Sequence, residues 1–244
     1  MNIISKIYSY LYIPVLIIIT LFSSILCIFI YIVTRNPSKA NIVAKLWGWL
    51  LVKSSLTKVE VIKNYSKEEG YGNYVLMSNH QSAFDIFLLY GLLPFDFTFL
   101  SKKEVFKIPV FGLAMKVVGA IAVDRENKNT LKRTIKDMEN YIKSNRSLLI
   151  FPEGTRSEDG KLIEFKKGGF LLAKKSKTKI LPVTIIGSNK VLKKGSLLIT
   201  PFQNVKLILD KPVETEDKNL NELMCFVAEI MKKNLKKSVF KKTG

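Results

Sequence analysis

The sequence predicts an α/β protein with a central mixed β-sheet flanked by helices, preceded by an apolar helix at the N-terminus. Two observations predict the sheet. Short β-rich runs alternate with amphipathic helical patterns after about residue 56, and several of these runs are apolar throughout. An uncharged N-terminal stretch predicts the additional helix. A length of 244 residues suits one compact domain with a short accessory segment.

The N-terminal stretch carries no charged side chain over residues 7–34, and Lys6 and Arg35 lie on either side of it. A helix over residues 11–33 would extend about 35 Å, enough to cross the roughly 30 Å hydrocarbon core of a bilayer. We interpret it as a retained membrane anchor. The run is too long for a cleaved signal peptide, and no small-residue cleavage site follows it. Pro14 leaves open whether the helix spans the bilayer or only dips into it.

A second helical segment, residues 41–52, carries Trp47 and Trp49 among aliphatic residues. Indole rings favour the membrane interface, so this helix lies either at the headgroup level beside the anchor or in an ordinary core. Basic residues crowd the C-terminal side of the anchor, which by the positive-inside rule places the rest of the chain on the cytoplasmic face of the cell membrane. We therefore expect an N-terminal membrane segment at residues 1–55 and a globular domain at residues 56–244.

Eight short runs in the globular part are predicted to be strands. They are residues 59–62, 74–77, 97–100, 120–123, 148–151, 180–186, 197–200 and 205–209. Apolar residues recur at helical spacing over residues 131–142 and again over 220–231, which predicts two amphipathic helices. The last strands follow one another with no helix between them, so the sheet is expected to be mixed rather than purely parallel.

The net charge of +19 implies an anionic partner, which could be nucleic acid, an anionic bilayer or a phosphate-bearing substrate. No nucleic-acid-binding motif accompanies the charge, and the apolar N-terminal stretch already indicates a membrane. Anionic lipid therefore explains the charge with fewer assumptions, and we expect no nucleic acid partner. Cys27 and Cys225 are both predicted to be buried thiols, and a single histidine excludes a histidine-rich metal site.

The first candidate site reads SNHQSAFD at residues 78–85, between a predicted strand and an apolar helical run. Ser82 suits an N-cap, and Asp85 three residues later completes a capping box. If His80 lies in the turn before the helix, Asp85 can fold back against the imidazole, as a general base requires. Alternatively, Asp85 only caps the helix and His80 is a polar turn residue. His80 is the only histidine, so it alone exchanges a proton readily near neutral pH.

Two further candidate sites end predicted strands. In FPEGTRS, residues 151–157, a buried strand leads into a loop that can offer backbone N–H groups and a guanidinium to a phosphate; the alternative is a surface turn. Only five of the 39 basic residues are arginines, and two of these, Arg125 and Arg156, lie at strand ends. A planar bidentate donor is favoured there over lysine. Arg133 and Arg146 are predicted to be solvated.

Together these segments resemble the glycerolipid acyltransferases, and among them the bacterial type of the 1-acylglycerol-3-phosphate acyltransferase family. His80 and Asp85 match the HX4D block, residues 119–125 the second block, FPEGTRS the third and residues 181–187 the fourth. Lys102 belongs to the stretch that leads into the second block. The four blocks occur in order across about residues 55–210, which is a far more specific signal than any one of them.

The resemblance implies that residues 56–244 are an acyltransferase catalytic domain. It would move a fatty acyl group from an acyl thioester, either acyl-CoA or acyl carrier protein, to the sn-2 hydroxyl of lysophosphatidic acid, forming phosphatidic acid in phospholipid biosynthesis. His80 would be the base and Asp85 would orient it. Other acceptors remain open, namely glycerol 3-phosphate, another lysophospholipid or a lyso-aminolipid. A membrane scaffold without activity is a further alternative.

The resemblance also implies a set of substrate-binding residues. Those expected to hold the glycerol phosphate are Gly154, Thr155, Arg156, Arg125 and Lys102. Glu153 would bind a glycerol hydroxyl or align Arg156. Neither a metal nor a prosthetic group is implied, so the acyl thioester enters as a substrate and not as a resident cofactor.

Overall fold

The computed structural model describes residues 3–66, 73–123, 128–144 and 146–240, without the side chains of residues 128–135 and 237–240. The helices in these ranges are α1 (Ile3–Thr34), α2 (Pro37–Ser54), α3 (Phe84–Leu92), α4 (Phe111–Val117), α5 (Lys128–Lys143), α6 (Lys167–Lys175), α7 (Ser188–Val191) and α8 (Leu220–Phe240), with a 3-10 helix at Lys103–Lys107. The strands are β1 (Lys58–Lys63), β2 (Val75–Ser78), β3 (Phe97–Lys102), β4 (Ile121–Val123), β5 (Ser147–Ile150), β6 (Ile180–Ile186) and β7 (Asn204–Leu209). The two amphipathic helices predicted from periodicity are α5 and α8.

The strands form one sheet in the order β1-β7-β6-β2-β5-β3-β4. Neighbouring strands are parallel except for β6 and β7, which are antiparallel, so the predicted mixed sheet is confirmed. Residues 187–203, between β6 and β7, contain only the single helical turn of α7 and no long crossover helix, which agrees with the antiparallel pairing of the two strands. Every residue of the central strands β2 and β5 is buried, because helices cover both faces of the sheet there.

The run 197–200, predicted to be a strand, is a loop, and that prediction is wrong. Ile199 makes only an isolated bridge to Leu192. The backbone of the loop bonds elsewhere: Thr200 N–H donates to Val191 at 2.7 Å, and the Ile199 carbonyl accepts the hydroxyl of Ser9 in α1 at 2.5 Å. Leu197 is 80% exposed. An apolar run alone therefore did not distinguish a strand from a loop that packs against a helix.

The strand order places the candidate sites together. β2 leads into the turn that carries His80, its parallel neighbour β5 leads into FPEGTRS, and β3, next to β5, ends at Lys102. The carboxyl ends of parallel strands meet at one edge of a sheet, where α/β proteins bind their ligands. Three segments far apart in sequence thus converge at one edge.

One face of α1 packs along the domain. Tyr12 Oη donates to the Leu51 carbonyl at 3.1 Å, Thr20 Oγ1 accepts the indole N–H of Trp47 at 3.0 Å, and Cys27 packs in a buried cluster with residues of α2 and α4. The opposite face is apolar and exposed over the whole helix. Its residues include Ile3, Ile4, Ile7, Tyr10, Leu11, Ile17, Ile18, Leu21, Phe22, Ile25, Phe29, Ile32 and Val33. By length and composition α1 is able to cross a membrane.

Helix α2 joins α1 to the sheet domain through a close crossing with α3. A Cβ built on Gly48 would lie 2.6 Å from the backbone nitrogen of Gly91, so only glycine allows this approach. The crossing sets Trp47 edge-on against Phe87, with ring centroids 5.1 Å apart. Trp47 is buried, as expected for a core helix, and Trp49 is 42% exposed, as expected for a helix at the membrane interface.

Two sequence-based expectations about single side chains are wrong. Arg146, expected to be solvated, binds Asp96 with two nitrogens at 2.9 and 3.0 Å and lies over the ring of Tyr141. Its partner is 50 positions away in sequence and gives no local signal. Cys27 is buried as expected, but Cys225 is exposed on α8.

Candidate active site

His80 lies in the turn between β2 and α3, and its ring contacts Asp85 in the first turn of the helix. Nδ1 of His80 is 2.7 Å from Oδ2 of Asp85. The histidine side chain is 16% exposed and the aspartate side chain is fully buried. The contact predicted from the turn–helix arrangement is therefore present, and the capping interpretation of Asp85 is incomplete.

Asp85 also organises the turn itself. The same Oδ2 accepts the backbone N–H groups of Gln81 at 2.8 Å and Ser82 at 2.9 Å. The bond from Ser82 N–H to Asp85 is one half of the predicted capping box. The other half is not formed, because Ser82 Oγ accepts the N–H of Phe84 at 3.0 Å and the N-cap residue of the helix is Ala83. Because Oδ2 already accepts two N–H groups, it faces His80 as an acceptor, and Nδ1 carries the proton of that hydrogen bond.

One face of the imidazole ring is covered by Phe151, the first residue of FPEGTRS. The two rings are stacked with centroids 3.9 Å apart and an interplanar angle of 15°. With Nδ1 held by Asp85 and one face covered, Nε2 is the ring atom that remains available to take a proton. This is the orientation that a general base requires.

Glu153 lies beneath the turn rather than on the surface that a substrate would touch. Its Oε1 accepts the backbone N–H of His80 at 3.0 Å, and the residue is only 2% exposed. Burial raises the pKa of Glu153 to about 7, opposed by the N–H groups of His80 and Ile163, while the charge of Asp85 raises it further. The structure thus places Glu153 where it positions His80.

Side chains next to His80 connect its turn to two other loops. Asn79 pairs with both backbone groups of Ile185 at 2.7 and 2.9 Å. Gln81 donates to the Gly160 carbonyl at 2.9 Å and accepts the Gly187 N–H at 3.2 Å. The His80 carbonyl accepts the N–H of Ser157 at 2.8 Å. The turn, the FPEGTRS loop and the loop after β6 are therefore held as one unit.

A cavity of about 840 Å³ opens beside His80. Its polar end is lined by His80, Thr155, Arg156, Lys102 and Lys194, and its apolar end by residues of α1, α2, α3 and α4. A small cavity of about 50 Å³ adjoins the apolar end and shares Ser24, Trp47, Phe99, Phe111 and Met115 with it. The space combines a base, several cations and a long apolar surface.

The structure brings most of the predicted site residues together. Thr155, Arg156 and Lys102 lie on the cavity wall with His80. Gly154 adopts φ +69°, a conformation that favours glycine, and a Cβ added there would lie 2.9 Å from the side chain of Lys166. Arg125 lies outside the described residues. Among the residues that the structure describes, no group of three histidine, cysteine or acidic side chains is placed to hold a metal ion.

Lys194 is the site residue that sequence reasoning missed. It lies on the cavity wall beside the predicted residues but belongs to the loop after α7, outside the four sequence blocks. It is one of two adjacent lysines in a chain with 34 of them, so nothing in its local sequence marks it.

The chain matches known proteins in sequence. A family model described as "Acyltransferase" matches residues 56–186. The chain is 34% identical over 194 residues to the chloroplastic 1-acyl-sn-glycerol-3-phosphate acyltransferase LPAT1 of Arabidopsis thaliana, a match that covers 78% of this chain and 54% of that protein. It is 39% identical over 138 residues to the 1-acyl-sn-glycerol-3-phosphate acyltransferase of Helicobacter pylori, covering 56% of this chain and 57% of that protein. The chain thus spans about half the length of these curated relatives.

A solved structure supports the same assignment. The crystal structure of the 1-acyl-sn-glycerophosphate (LPA) acyltransferase PlsC from Thermotoga maritima superimposes with a TM-score of 0.77 at 26% sequence identity. The match covers 97% of this chain and 95% of that one, so the apolar N-terminal helix belongs to the shared architecture. The family model covers more than half of the sequence and includes the His80 turn and the FPEGTRS loop. The chain therefore belongs to the acyltransferase family.

Proposed function

We propose that this protein transfers a fatty acyl group from an acyl thioester to the sn-2 hydroxyl of lysophosphatidic acid, forming phosphatidic acid for phospholipid biosynthesis. The observation that carries the proposal is His80, bonded to the buried Asp85, on the wall of a cavity with cations at one end and an apolar surface at the other. Lysophosphatidic acid has the matching layout, since its hydroxyl lies between a phosphate and an acyl chain. The names of the two related acyltransferases support this acceptor.

In the proposed reaction His80 is the base. Nε2 takes the proton of the acceptor hydroxyl while the hydroxyl oxygen bonds to the thioester carbon. Asp85 holds the ring in place and stabilises the imidazolium that forms. When the tetrahedral intermediate collapses, the carbon–sulfur bond breaks and the departing thiolate takes the proton from Nε2. The thiol then leaves with that proton, and His80 is neutral again for the next cycle.

The FPEGTRS loop supplies groups for the two negative charges of the reaction. Arg156 on the cavity wall is suited to the phosphate, because a guanidinium binds it through two parallel hydrogen bonds. The N–H groups of Gly154 and Ser157 are already bonded to the carbonyls of Phe151 and His80. We assign the N–H groups of Thr155 and Arg156 to the oxyanion of the tetrahedral intermediate.

The apolar end of the cavity is suited to the acyl chains. Leu16, Ile17 and Leu21 of α1 line it, so a chain that lies there is in contact with the helix that carries the exposed apolar face. We propose that this face is buried in the cytoplasmic leaflet of the cell membrane and that α1 lies along the domain rather than crossing the bilayer. A crossing helix packed along the domain would draw polar elements into hydrocarbon, which is costly.

The reaction is tested with the full chain in membranes supplied with lysophosphatidic acid and a labelled acyl thioester. Acyl-CoA and acyl carrier protein thioesters are offered in parallel, because the site does not distinguish them. We expect labelled phosphatidic acid from the wild type and a loss of at least ~100-fold for His80→Ala, as removal of a general base predicts.

Each other outcome rejects one part of the proposal. Product that survives His80→Ala leaves the reaction standing and rejects the base. Failure with lysophosphatidic acid but product with glycerol 3-phosphate, another lysophospholipid or a lyso-aminolipid rejects the acceptor. Failure with every acceptor and both donors rejects acyl transfer and leaves a membrane scaffold.

A further inference from the structure

We propose that Lys194 binds the phosphate of the acceptor, exchanging its ion pair with Glu158 for that phosphate; the inference rests on the proposed acyl transfer. Lys194 is on the same cavity wall as His80 and Arg156, although it lies in the loop after α7, outside the segments that predicted the site. A phosphate monoester near Arg156 carries more charge than one guanidinium neutralises. A second cation from another loop completes its binding.

The loop that carries Lys194 is held close to the proposed base. The Leu192 carbonyl, two residues before Lys194, accepts the hydroxyl of Ser82 at 2.6 Å. Gly187, at the start of α7, donates to Gln81 at 3.2 Å. Both partners are neighbours of His80 in the turn. The backbone around Lys194 is thus positioned relative to His80 by hydrogen bonds, as a binding residue requires.

Glu158 is a weak partner that a substrate can replace. Lys194 Nζ lies 3.0 Å from Glu158 Oε1, but the glutamate side chain is 81% exposed and the lysine side chain 34%. An ion pair this exposed contributes little to stability. Glu158 follows the FPEGTRS loop, so the pair connects the two loops at the polar end of the cavity. A phosphate dianion inside that cavity competes well with one exposed carboxylate.

The distance between phosphate and reacting atom in each substrate assigns the phosphate at Lys194 to the acceptor. In lysophosphatidic acid the phosphate is only a few bonds from the hydroxyl that must contact His80 Nε2, so both must lie in the cavity. In a phosphopantetheine thioester the phosphate lies at the far end of a long pantetheine arm, away from the reacting carbon. Donor phosphates therefore lie outside the space that Lys194 and His80 share.

The first test measures binding without a donor, so it does not depend on turnover. Lysophosphatidic acid or a monoacylglycerol of equal chain length is titrated into the full chain in neutral detergent. The change in tryptophan emission is followed, since Trp47, one of the two tryptophans, lies on the cavity wall. For Lys194→Met we expect the Kd of lysophosphatidic acid to rise by roughly tenfold or more, as loss of a charge-assisted hydrogen bond predicts. The Kd of the monoacylglycerol should not change.

Two variants serve as controls. Lys193→Met removes the adjacent exposed lysine, which is not on the cavity wall, and should bind like the wild type. Glu158→Gln frees Lys194 and should bind lysophosphatidic acid at least as tightly as the wild type. If Glu158→Gln weakens binding as much as Lys194→Met does, the ion pair is only structural and the proposal is wrong. Unchanged binding by Lys194→Met overturns it equally.

Turnover measurements then distinguish the acceptor phosphate from the donor phosphate, and the role of Lys194 from the proposed acyl transfer. With an acyl thioester present, Lys194→Met should raise KM for the acceptor and leave KM for the donor unchanged; a rise for the donor alone would overturn the assignment. A wild type that binds lysophosphatidic acid through Lys194 but forms no phosphatidic acid would reject the proposed function while this inference stands.

Discussion

The two ends of the main cavity are built in different ways. At the polar end, His80 and its neighbours lie in turns and loops that are joined by side-chain hydrogen bonds to backbone groups. At the apolar end, the wall consists of helix faces that meet mainly through packing, with Trp47 against Phe87 as an example, and the indole of Trp47 also donates to Thr20. Directional bonds fix single atoms, whereas packing fixes only shape and volume. We therefore expect polar-end variants to change rate and apolar-end variants to change stability.

The largest expected effect is at the polar end, for Asp85→Asn. The amide retains the size of the carboxylate but cannot accept from the Gln81 and Ser82 N–H groups and stabilise His80 as an imidazolium at once. We expect kcat to fall by at least ~100-fold, as misorientation of a general base predicts. Steady-state phosphatidic acid formation measures it.

Asp210→Asn is the matched control for that variant. Asp210 accepts side-chain amides of Asn64 and Asn234 at 2.9 and 2.7 Å, away from the cavity. This change should lower the melting temperature without a comparable loss of kcat. Equal losses of kcat in the two variants would contradict the special role of Asp85.

At the apolar end, Gly48→Ala should act on stability. Its Cβ would lie 2.6–2.8 Å from backbone atoms of α3, so the helices must move apart and carry Trp47 with them. We expect a loss of about 1–3 kcal/mol, typical of overpacking. Thermal unfolding in detergent measures it. Gly168→Ala in α6, where an added Cβ meets no atom within 4 Å, should be neutral or slightly stabilising. Equal melting temperatures for the two variants would refute the close crossing.

The smallest effect is expected for Glu153→Gln, beneath the polar end. The pKa of Glu153 in the folded protein, about 7, lies above the ordinary glutamate value of 4.5, so the folded state binds the extra proton. The stabilisation that protonated Glu153 contributes to the folded wild type is therefore lost as pH rises from about 4.5 through 7. Glutamine does not titrate, so the melting temperature of the variant minus that of the wild type should increase by a few degrees over that range. A difference independent of pH would contradict the raised pKa.

Local features of the site were predictable from the sequence, and distant ones were not. His80 and Asp85 are five residues apart on either side of a helix start, so turn geometry and capping rules gave their contact as one of two interpretations, and the structure contains it. Glu153 binds the backbone of a residue 73 positions away, and only the side-by-side placement of β2 and β5 brings the two together. Its contact with His80 therefore could not be predicted from the local pattern.

The fold shows the same limit. Alternating strands and helices, and the absence of a long helical pattern between the last strands, correctly predicted the mixed sheet. The run 197–200 has the composition of a strand, but its backbone bonds to Ser9 and Val191. Both sides of the nearby strand β7 are already paired, one with β1 and the other with β6. Strand propensity describes a residue's fit to a pleated surface and not whether a neighbouring strand is available.

Asp85 has a consequence for how this protein can change over generations. One carboxylate oxygen closes the turn, begins a helix and holds the proposed base, so a substitution there damages foldability and turnover together. The ion pair of Lys194 is with Glu158, whose side chain is exposed, so a change at Lys194 does not disturb a turn or a helix start. New acceptor preferences should therefore evolve through the loop after α7, while the turn that carries the base stays as it is.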